Sequence, residues 1–279
     1  MIFLNELPVD LSARFPDGTF AFRLKGQLLT SALNCVGFSK AAVLRWHYSD
    51  ESEMSAVFYI VNHLRDIGVE HINLMLPYIP NARMDRVKSH SEVFTLKFFA
   101  RFINSLNFAN VIVLDPHSNV APALIDRVCI RQPKLYIRRA ISGIAREGLI
   151  AYYPDEGAVK RYADMSDLPF IYGEKKRDWV TGKITGLHVV TDNVEDITEH
   201  PILMIDDICS HGGTFYYSAL ALKELGAGDI YIYCSHCENS IFEGKLLKQD
   251  DFIKHIYTTN SIFTKEEGHS DKFTVFHCA

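Results

Sequence analysis

The amino-acid sequence predicts an α/β fold with mainly parallel sheets. Short apolar runs alternate with segments of helical periodicity, as in sheets whose strands are joined by helices. Several runs end directly in polar or charged residues, which is where ligands bind in open α/β sheets. No low-complexity linker divides the 279 residues, and we predict two domains, residues 1–135 and 136–279, that join within residues 126–148.

The first predicted domain contains short strands, and two helices follow the third and fourth of them. Asp50 and Glu53 have capping-box spacing before the first helix, and residues 92–103 form the second. The predicted strands are residues 1–4, 19–24, 41–46, 71–76 and 111–114.

The second predicted domain repeats this alternation. Helices are expected from residues 154–158 onward, over 215–225 and near 241–247. The predicted strands are residues 149–153, 169–172, 187–190, 202–205 and 230–233, with closing strands near Ile256 and Val275.

Composition excludes several classes of protein. The net charge of −5 and the lack of a basic cluster argue against a nucleic-acid partner. The first six residues lack the pattern of a signal peptide, and no apolar run approaches a membrane span in length. We therefore expect a cytoplasmic protein without a membrane partner.

Six scattered cysteines indicate reduced thiols rather than a disulfide framework. Cys234 and Cys237 have metal-ligand spacing, but a structural zinc site needs a second pair or a histidine pair, and none is apparent in the sequence. The sequence therefore does not favour zinc.

The most informative segment is the apolar run at residues 201–205 and the loop that follows it. Asp206 and Asp207 can bind sugar hydroxyls or hold magnesium on a phosphorylated substrate. Glycines before a helix let backbone N–H groups approach a phosphate. On its own, the pattern also fits a plain acidic strand end with a tight turn. The loop comprises Ser210, His211, Gly212, Gly213 and Thr214.

This segment resembles the phosphoribosyl-diphosphate loop of type I phosphoribosyltransferases and of ribose-phosphate diphosphokinases, the PRPP synthetases. The resemblance implies two tandem phosphoribosyltransferase-like domains, each a mainly parallel sheet flanked by helices. It also implies that Asp206 and Asp207 bind the ribose hydroxyls and that the backbone of residues 210–214 binds the 5-phosphate.

The loop after residues 71–76 resembles the ATP-side motif of PRPP synthetases. It contains Arg83, Met84, Asp85 and Arg86, and paired guanidinium groups suit a triphosphate. Further along, Asp115-Pro116-His117 resembles the family's Asp-Leu-His, which implies that His117 lies beside magnesium–ATP.

Three further motifs carry the same resemblance. Phe15 and Asp17 lie in a stretch that in the family helps to form the adenine pocket of a neighbouring subunit. Asp155 lies in a segment similar to the pyrophosphate-binding Pro-Asp-x-Gly-Gly. Lys175 and Arg177 match the catalytic residues at the base of the family's flexible loop.

The activity implied by the resemblance is transfer of the β,γ-diphosphoryl group of ATP to the anomeric hydroxyl of ribose 5-phosphate, giving PRPP and AMP. Magnesium would be the cofactor. The family also implies a homo-oligomer, a dimer at least, with a hexamer as its larger assembly.

The sequence departs from the family pattern at the sugar-phosphate loop, where Ser210-His211 replaces Asp-Thr. This change fits variation within a tolerant loop, and it also fits, as an alternative, the same chemistry on a 5-substituted ribose such as ADP-ribose, in the service of NAD production. Ribose 5-phosphate remains the preferred acceptor. Two further alternatives are a type I phosphoribosyltransferase and a catalytically silent regulatory homologue. The first does not explain the ATP-side motifs, and the second does not explain the retained Lys175 and Arg177.

Overall fold

The computed structural model describes residues 1–33, 41–177, 184–191, 194, 196–248, 253–264 and 271–278. Within these ranges the side chains of residues 31–33, 175–177 and 184–187 are also left undescribed. The chain divides into two compact units, Met1–Arg131 and Gln132–Ala279. Strands and helices alternate in both units around mostly parallel sheets, so the predicted α/β class is confirmed.

The first unit is built on a six-stranded sheet in the order β2-β1-β3-β4-β5-β6. Strands β3 to β6 are parallel, whereas β1 pairs antiparallel with β2 and β3. The strands are β1 (Ile2–Leu4), β2 (Leu7–Pro8), β3 (Ala41–Trp46), β4 (His71–Leu76), β5 (Asn110–Leu114) and β6 (Val128–Arg131). The predicted strand at residues 19–24 is wrong, since only an isolated bridge joins Phe20 to Arg14.

The helices of the first unit pack apolar faces on its core. They are α1 (Gly26–Leu33), α2 (Glu53–Asp66), α3 (Thr95–Ser105) and α4 (Val120–Leu124). The capping box predicted for α2 is wrong, because Glu53 is buried and accepts hydrogen bonds from Trp46 Nε1 at 2.8 Å and Ser49 N at 3.0 Å. Its carboxylate also pairs with the amino group of Met1, which ties the chain's first residue to α2.

The second unit is built on a seven-stranded sheet in the order β13-β12-β11-β10-β7-β8-β9. Strands β8 and β9 pair antiparallel, and the other neighbouring pairs are parallel. The strands are β7 (Ile150–Tyr153), β8 (Phe170–Arg177), β9 (Ile184–Val190), β10 (Ile202–Cys209), β11 (Ile230–Cys237), β12 (His255–Thr259) and β13 (Phe273–Phe276).

The helices of the second unit are α5 (Lys134–Ile144), α6 (Glu156–Tyr162) and α7 (Gly213–Glu224). The helix expected near residues 241–247 is instead a short 3-10 turn, Asn239–Glu243. Among the described residues of the whole chain, no helix combines the length and apolar character that crossing a bilayer requires.

Strand β10 lies in the centre of the second sheet and is apolar on both faces. Ile202 and Met204 pack into one hydrophobic cluster, and Leu203 and Ile205 pack into another. The chain leaves β7 toward β8 and β9, and then returns to place β10 on the other side of β7. The ends of β7 and β10 therefore form a topological switch point, the place where open α/β sheets bind ligands.

Candidate active site

Two carboxylates lie at the carboxyl end of β10. The strand continues beyond its predicted end at residue 205, through both acids, to Cys209. Asp207 is buried, and its Oδ1 lies 3.5 Å from Arg161 Nη1. The backbone N–H of Asp207 donates to Asp206 Oδ1 at 2.9 Å, which holds the first carboxylate beside the second.

A third carboxylate lies at the neighbouring strand end. Asp155 follows β7 and caps α6, with its Oδ1 accepting from Ala158 N at 3.1 Å. The pKa of Asp206 is raised well above its usual value because burial desolvates it and because Asp207 and Asp155 are negatively charged. Its carboxylate form is thus costly in the folded protein.

Oxygen ligands concentrated in this way fit a hard cation. Magnesium prefers carboxylate oxygens and keeps several waters, and a dication would offset the repulsion among Asp155, Asp206 and Asp207. The same carboxylates can accept hydrogen bonds from sugar hydroxyls. Tyr152 lies within their electrostatic influence: burial, with smaller contributions from Asp155 and Asp206, raises its pKa to about 12.

The glycine loop joins β10 to the amino end of α7. Gly212 has φ +75 and is the N-cap residue, so α7 begins at Gly213, earlier than the predicted residue 215. A Cβ on Gly212 would lie 2.8 Å from Leu246 Cδ2, whereas a Cβ on Gly213 would meet nothing within 4 Å. The first turn of α7 directs unpaired backbone N–H groups outward, which suits an anion.

Ser210 and His211 contact acidic residues that the sequence did not reveal as site residues. Ser210 Oγ donates to Glu238 Oε2 at 2.8 Å and lies 3.2 Å from Ser240 Oγ. His211 Nε2 lies 3.6 Å from Glu243 Oε2, and both side chains are largely exposed. Glu238 follows β11, the strand beside β10, so the rule that ligand residues follow parallel strands could have found it.

The segment carrying these glutamates packs tightly against the glycine loop. A Cβ on Gly244 would lie 1.9 Å from the carbonyl oxygen of His211, a distance that only a glycine permits without movement of the backbone. The acidic segment is therefore a fixed wall of the loop.

In the first unit, two loops leave the same edge of the sheet. Arg83 and Arg86 are exposed after β4, with Met84 and Asp85 partly buried between them. Because β4 and β5 are parallel neighbours, His117 after β5 leaves from the same edge. It is partly buried and follows Asp115, which is buried and has φ 41.

The predicted adenine-pocket residues lie on an exposed turn of the first unit. Phe15 is 57% exposed. Asp17 Oδ1 accepts from the backbone N–H and the hydroxyl of Thr19 at 3.0 and 2.7 Å, and these bonds hold the pKa of Asp17 below its usual value. Asp17 thus stabilises the turn that presents Phe15.

The predicted catalytic residues Lys175 and Arg177 lie at the carboxyl end of β8, which forms a hairpin with β9. The sequence placed them after a strand ending at residue 172, but the strand continues through them. Their side chains, together with residues 178–183 between the two strands, lie outside the described part of the chain.

The two mostly parallel sheets, with the glycine loop and the carboxylates of Asp206 and Asp207 at a switch point, define a phosphoribosyltransferase-like α/β enzyme. No family model matches the chain. It is 30% identical to ribose-phosphate pyrophosphokinase 1 of Listeria innocua over 223 residues, which cover 76% of this chain and 67% of that one. It is 26% identical to ribose-phosphate pyrophosphokinase of Thermococcus kodakarensis, over 90% of this chain and 85% of that one.

The chain therefore belongs to the ribose-phosphate pyrophosphokinase family, and the predicted enzyme class, an ATP-dependent diphosphotransferase of this type, is confirmed. A solved structure has the same fold. Phosphoribosylpyrophosphate synthetase from Mycobacterium smegmatis superposes with a TM-score of 0.75 at 18% identity, covering 98% of this chain and 88% of that one.

Proposed function

We propose that this chain transfers the β,γ-diphosphoryl group of ATP to the anomeric hydroxyl of ribose 5-phosphate in the cytoplasm. The anomeric oxygen attacks the β-phosphorus, the bond from that phosphorus to the α-phosphate oxygen breaks, and the hydroxyl proton is lost. The products are PRPP and AMP. The observation that carries the proposal is the pair Asp206 and Asp207 followed directly by the glycine N-cap of α7.

The acceptor is bound by the second unit. Asp206 and Asp207 accept hydrogen bonds from the 2- and 3-hydroxyls of the ribose, with Asp207 held by Arg161. The backbone of residues 210–214 donates to the 5-phosphate at the start of α7. Since the carboxylates are fixed before the sugar arrives, little reorganisation is needed on binding.

ATP is bound by the first unit. Arg83 and Arg86 donate to the triphosphate oxygens, and Met84 and Asp85 shape the nucleotide contacts between them. His117 approaches the same phosphates from the end of β5. The exposed Phe15 turn completes the adenine pocket of a neighbouring subunit, which makes the enzyme a homo-oligomer, a dimer at least.

Lys175 and Arg177 stabilise the negative charge that builds up on the transferring group. Asp155 would hold magnesium in the second unit, and His117 would do so beside the triphosphate in the first unit. When bound, magnesium neutralises phosphate charge and orients the diphosphoryl group.

A second acceptor is favoured by one observation, the acidic wall of the glycine loop. Glu238 and Glu243 contact Ser210 and His211, so negative charge lies beside the phosphate cradle. A terminal phosphate dianion is repelled there more strongly than the singly charged bridging phosphate of a 5-substituted ribose. ADP-ribose is such an acceptor, and the same transfer would give its anomeric pyrophosphate for NAD production.

A single assay separates these functions. The enzyme is incubated with magnesium–ATP and either ribose 5-phosphate or ADP-ribose, and AMP and the pyrophosphorylated sugar are identified by mass spectrometry. We expect AMP to form in step with PRPP. AMP formed only with ADP-ribose would show that ADP-ribose, rather than ribose 5-phosphate, is the acceptor of the same diphosphoryl transfer. No AMP with either sugar, together with PRPP consumption when a nucleobase is supplied, would indicate a phosphoribosyltransferase. No turnover in any mixture would indicate the silent regulatory homologue.

A further inference from the structure

Three buried cysteines lie together in the second unit, and they form a cluster of their own beside the carboxylates already described. The Sγ atoms of Cys209, Cys234 and Cys237 all lie within 4.8 Å of one another. Cys209 is the last residue of β10, and the other two lie on the neighbouring strand β11. The sequence shows Cys234 and Cys237 as a pair but does not indicate Cys209 as their neighbour. Pairing of β10 with β11 brings it there, by placing Cys209 opposite Cys237.

A β-bulge allows both cysteines of β11 to contribute. In a regular strand, residues three apart point to opposite faces of the sheet. Between Cys234 and His236 the pairing with β12 shifts register, so Ser235 is an extra residue on β11. Cys234 and Cys237 consequently pack with Cys209 into the same hydrophobic cluster.

The spacing of the sulfurs is close to that of a metal–thiolate centre. Two thiolates at about 2.3 Å from a tetrahedral zinc ion lie about 3.8 Å apart, so small side-chain rotations would complete the site. Other described polar contacts of the thiols are weak. Cys209 Sγ and Cys237 Sγ each lie 3.8 Å from a backbone carbonyl oxygen, and Cys234 Sγ lies 3.8 Å from Thr258 Oγ1.

We propose that Cys209, Cys234 and Cys237 form a trithiolate site for a thiophilic dication such as zinc, with the buried Thr258 hydroxyl, 3.8 Å from Cys234 Sγ, as its polar neighbour. Soft thiolate ligands select this class of ion over the magnesium that suits the carboxylates. Each thiol loses its proton on binding, so three protons are released per ion and the affinity rises with pH. The ion would join β10 to β11 directly before Ser210, at the start of the glycine loop.

The test uses the full chain, reduced and stripped with a chelator, and titrates it with cobalt and with zinc. We expect one equivalent per chain, a sulfur-to-cobalt charge-transfer band, and a mass increase of one zinc ion under native conditions. Cys234→Ser should lose the band. Cys278→Ser is the matched control, because Cys278 is also buried in the second unit but bonds to Asn260.

A second measurement needs no variant and so does not depend on Cys234→Ser folding. Native thiol labelling, located by peptide mapping, should show that zinc protects Cys209, Cys234 and Cys237 and leaves the exposed Cys129 reactive. The site is disproved by the absence of stoichiometric uptake, by a cobalt band that persists in Cys234→Ser, or by labelling of the three thiols that zinc does not slow. Such results would leave the cluster as close-packed thiols in the core.

Discussion

The two units place chemically active loops at one edge of a parallel sheet, but the loops differ in charge and in exposure. In the first unit they carry the exposed cations Arg83 and Arg86. In the second unit the carboxylates of Asp206 and Asp207 lie near the carboxyl end of β10, before the glycine loop, and Asp207 is 3% exposed. Under the proposed function, one architecture would serve two kinds of recognition: exposed guanidinium groups suit a long polyphosphate, while carboxylates held by the backbone suit a small sugar.

The difference has an energetic consequence. Exposed arginines are solvated in the free protein and cost little stability. The carboxylate of Asp206 is desolvated and repelled by Asp207, so its charged form costs the second unit folding stability. Under the proposed function, this cost would provide a preorganised site.

The largest expected effect concerns catalysis in the second unit. Lys175→Ala should lower kcat by about 10²–10³ and change ATP affinity little, because the lost charge acts mainly on the transferring group. The measurement is steady-state kinetics with calorimetric ATP binding. Lys160→Ala, which removes an exposed lysine of the same unit, is the control. Unchanged turnover in Lys175→Ala would remove the proposed role.

Asp206→Asn should separate function from stability. We expect kcat/KM for the acceptor to fall by roughly 10- to 100-fold, since a charged hydrogen-bond acceptor is lost. We also expect the free energy of unfolding at pH 7 to rise by about 0.5–2 kcal/mol, since a buried charge is removed. Asp229→Asn changes a 45% exposed side chain before β11 and should alter neither quantity.

The effect of pH on the stability of wild type and of Asp206→Asn tests whether Asp206 lowers stability when it is charged. The folded-state pKa of Asp206 is raised, so the folded protein binds the proton more tightly than the unfolded chain does. The contribution of Asp206 to stability is therefore lost as pH rises from its ordinary pKa of about 4 through the raised value. Urea unfolding of wild type and Asp206→Asn across this range should show a difference that grows with pH. A difference in unfolding free energy that stays constant with pH would contradict a desolvated charge on Asp206.

Arg86→Ala tests the exposed side of the comparison. ATP affinity should fall by about tenfold, or roughly 1.4 kcal/mol, because one phosphate contact is lost while Arg83 remains. The free energy of unfolding should stay within about 0.5 kcal/mol of wild type, as is usual for an exposed side chain. Calorimetric titration measures the ATP affinity, and urea unfolding measures the free energy of unfolding. Arg101→Ala, also exposed in the first unit, should change neither.

The glycine loop is expected to affect the stability of the second unit. Gly212→Ala should destabilise the second unit by about 1–2 kcal/mol, because φ +75 is strained for alanine and its Cβ would press on Leu246. Gly213→Ala, at the adjacent helical position with open space, should leave stability unchanged or raise it by up to about 1 kcal/mol. Thermal unfolding compares them. Equal losses in both variants would show that the left-handed turn is not the cause.

Much of the fold was predictable because local patterns and long-range packing agree. The strands at residues 41–46 and 71–76 coincide with β3 and β4, where apolar runs are bounded by turns. The prediction failed where tertiary contacts decide. Glu53 does not complete the predicted capping box because its carboxylate binds Trp46 Nε1 and the amino group of Met1. Strand β10 continues through two acids because β11 pairs with it along its length.

The sequence by itself determined the acids, the glycine turn and the arginine loop, since each is a contiguous motif whose chemistry can be read locally. Tertiary structure decided what lies beside them. Strand pairing brought Asp155 to Asp206, and packing of residues 238–244 set Glu238 against Ser210. Pairing of β10 with β11 gathered three cysteines, of which the sequence showed only two as a pair. Neighbours across a sheet are fixed by topology, and no local pattern encodes them.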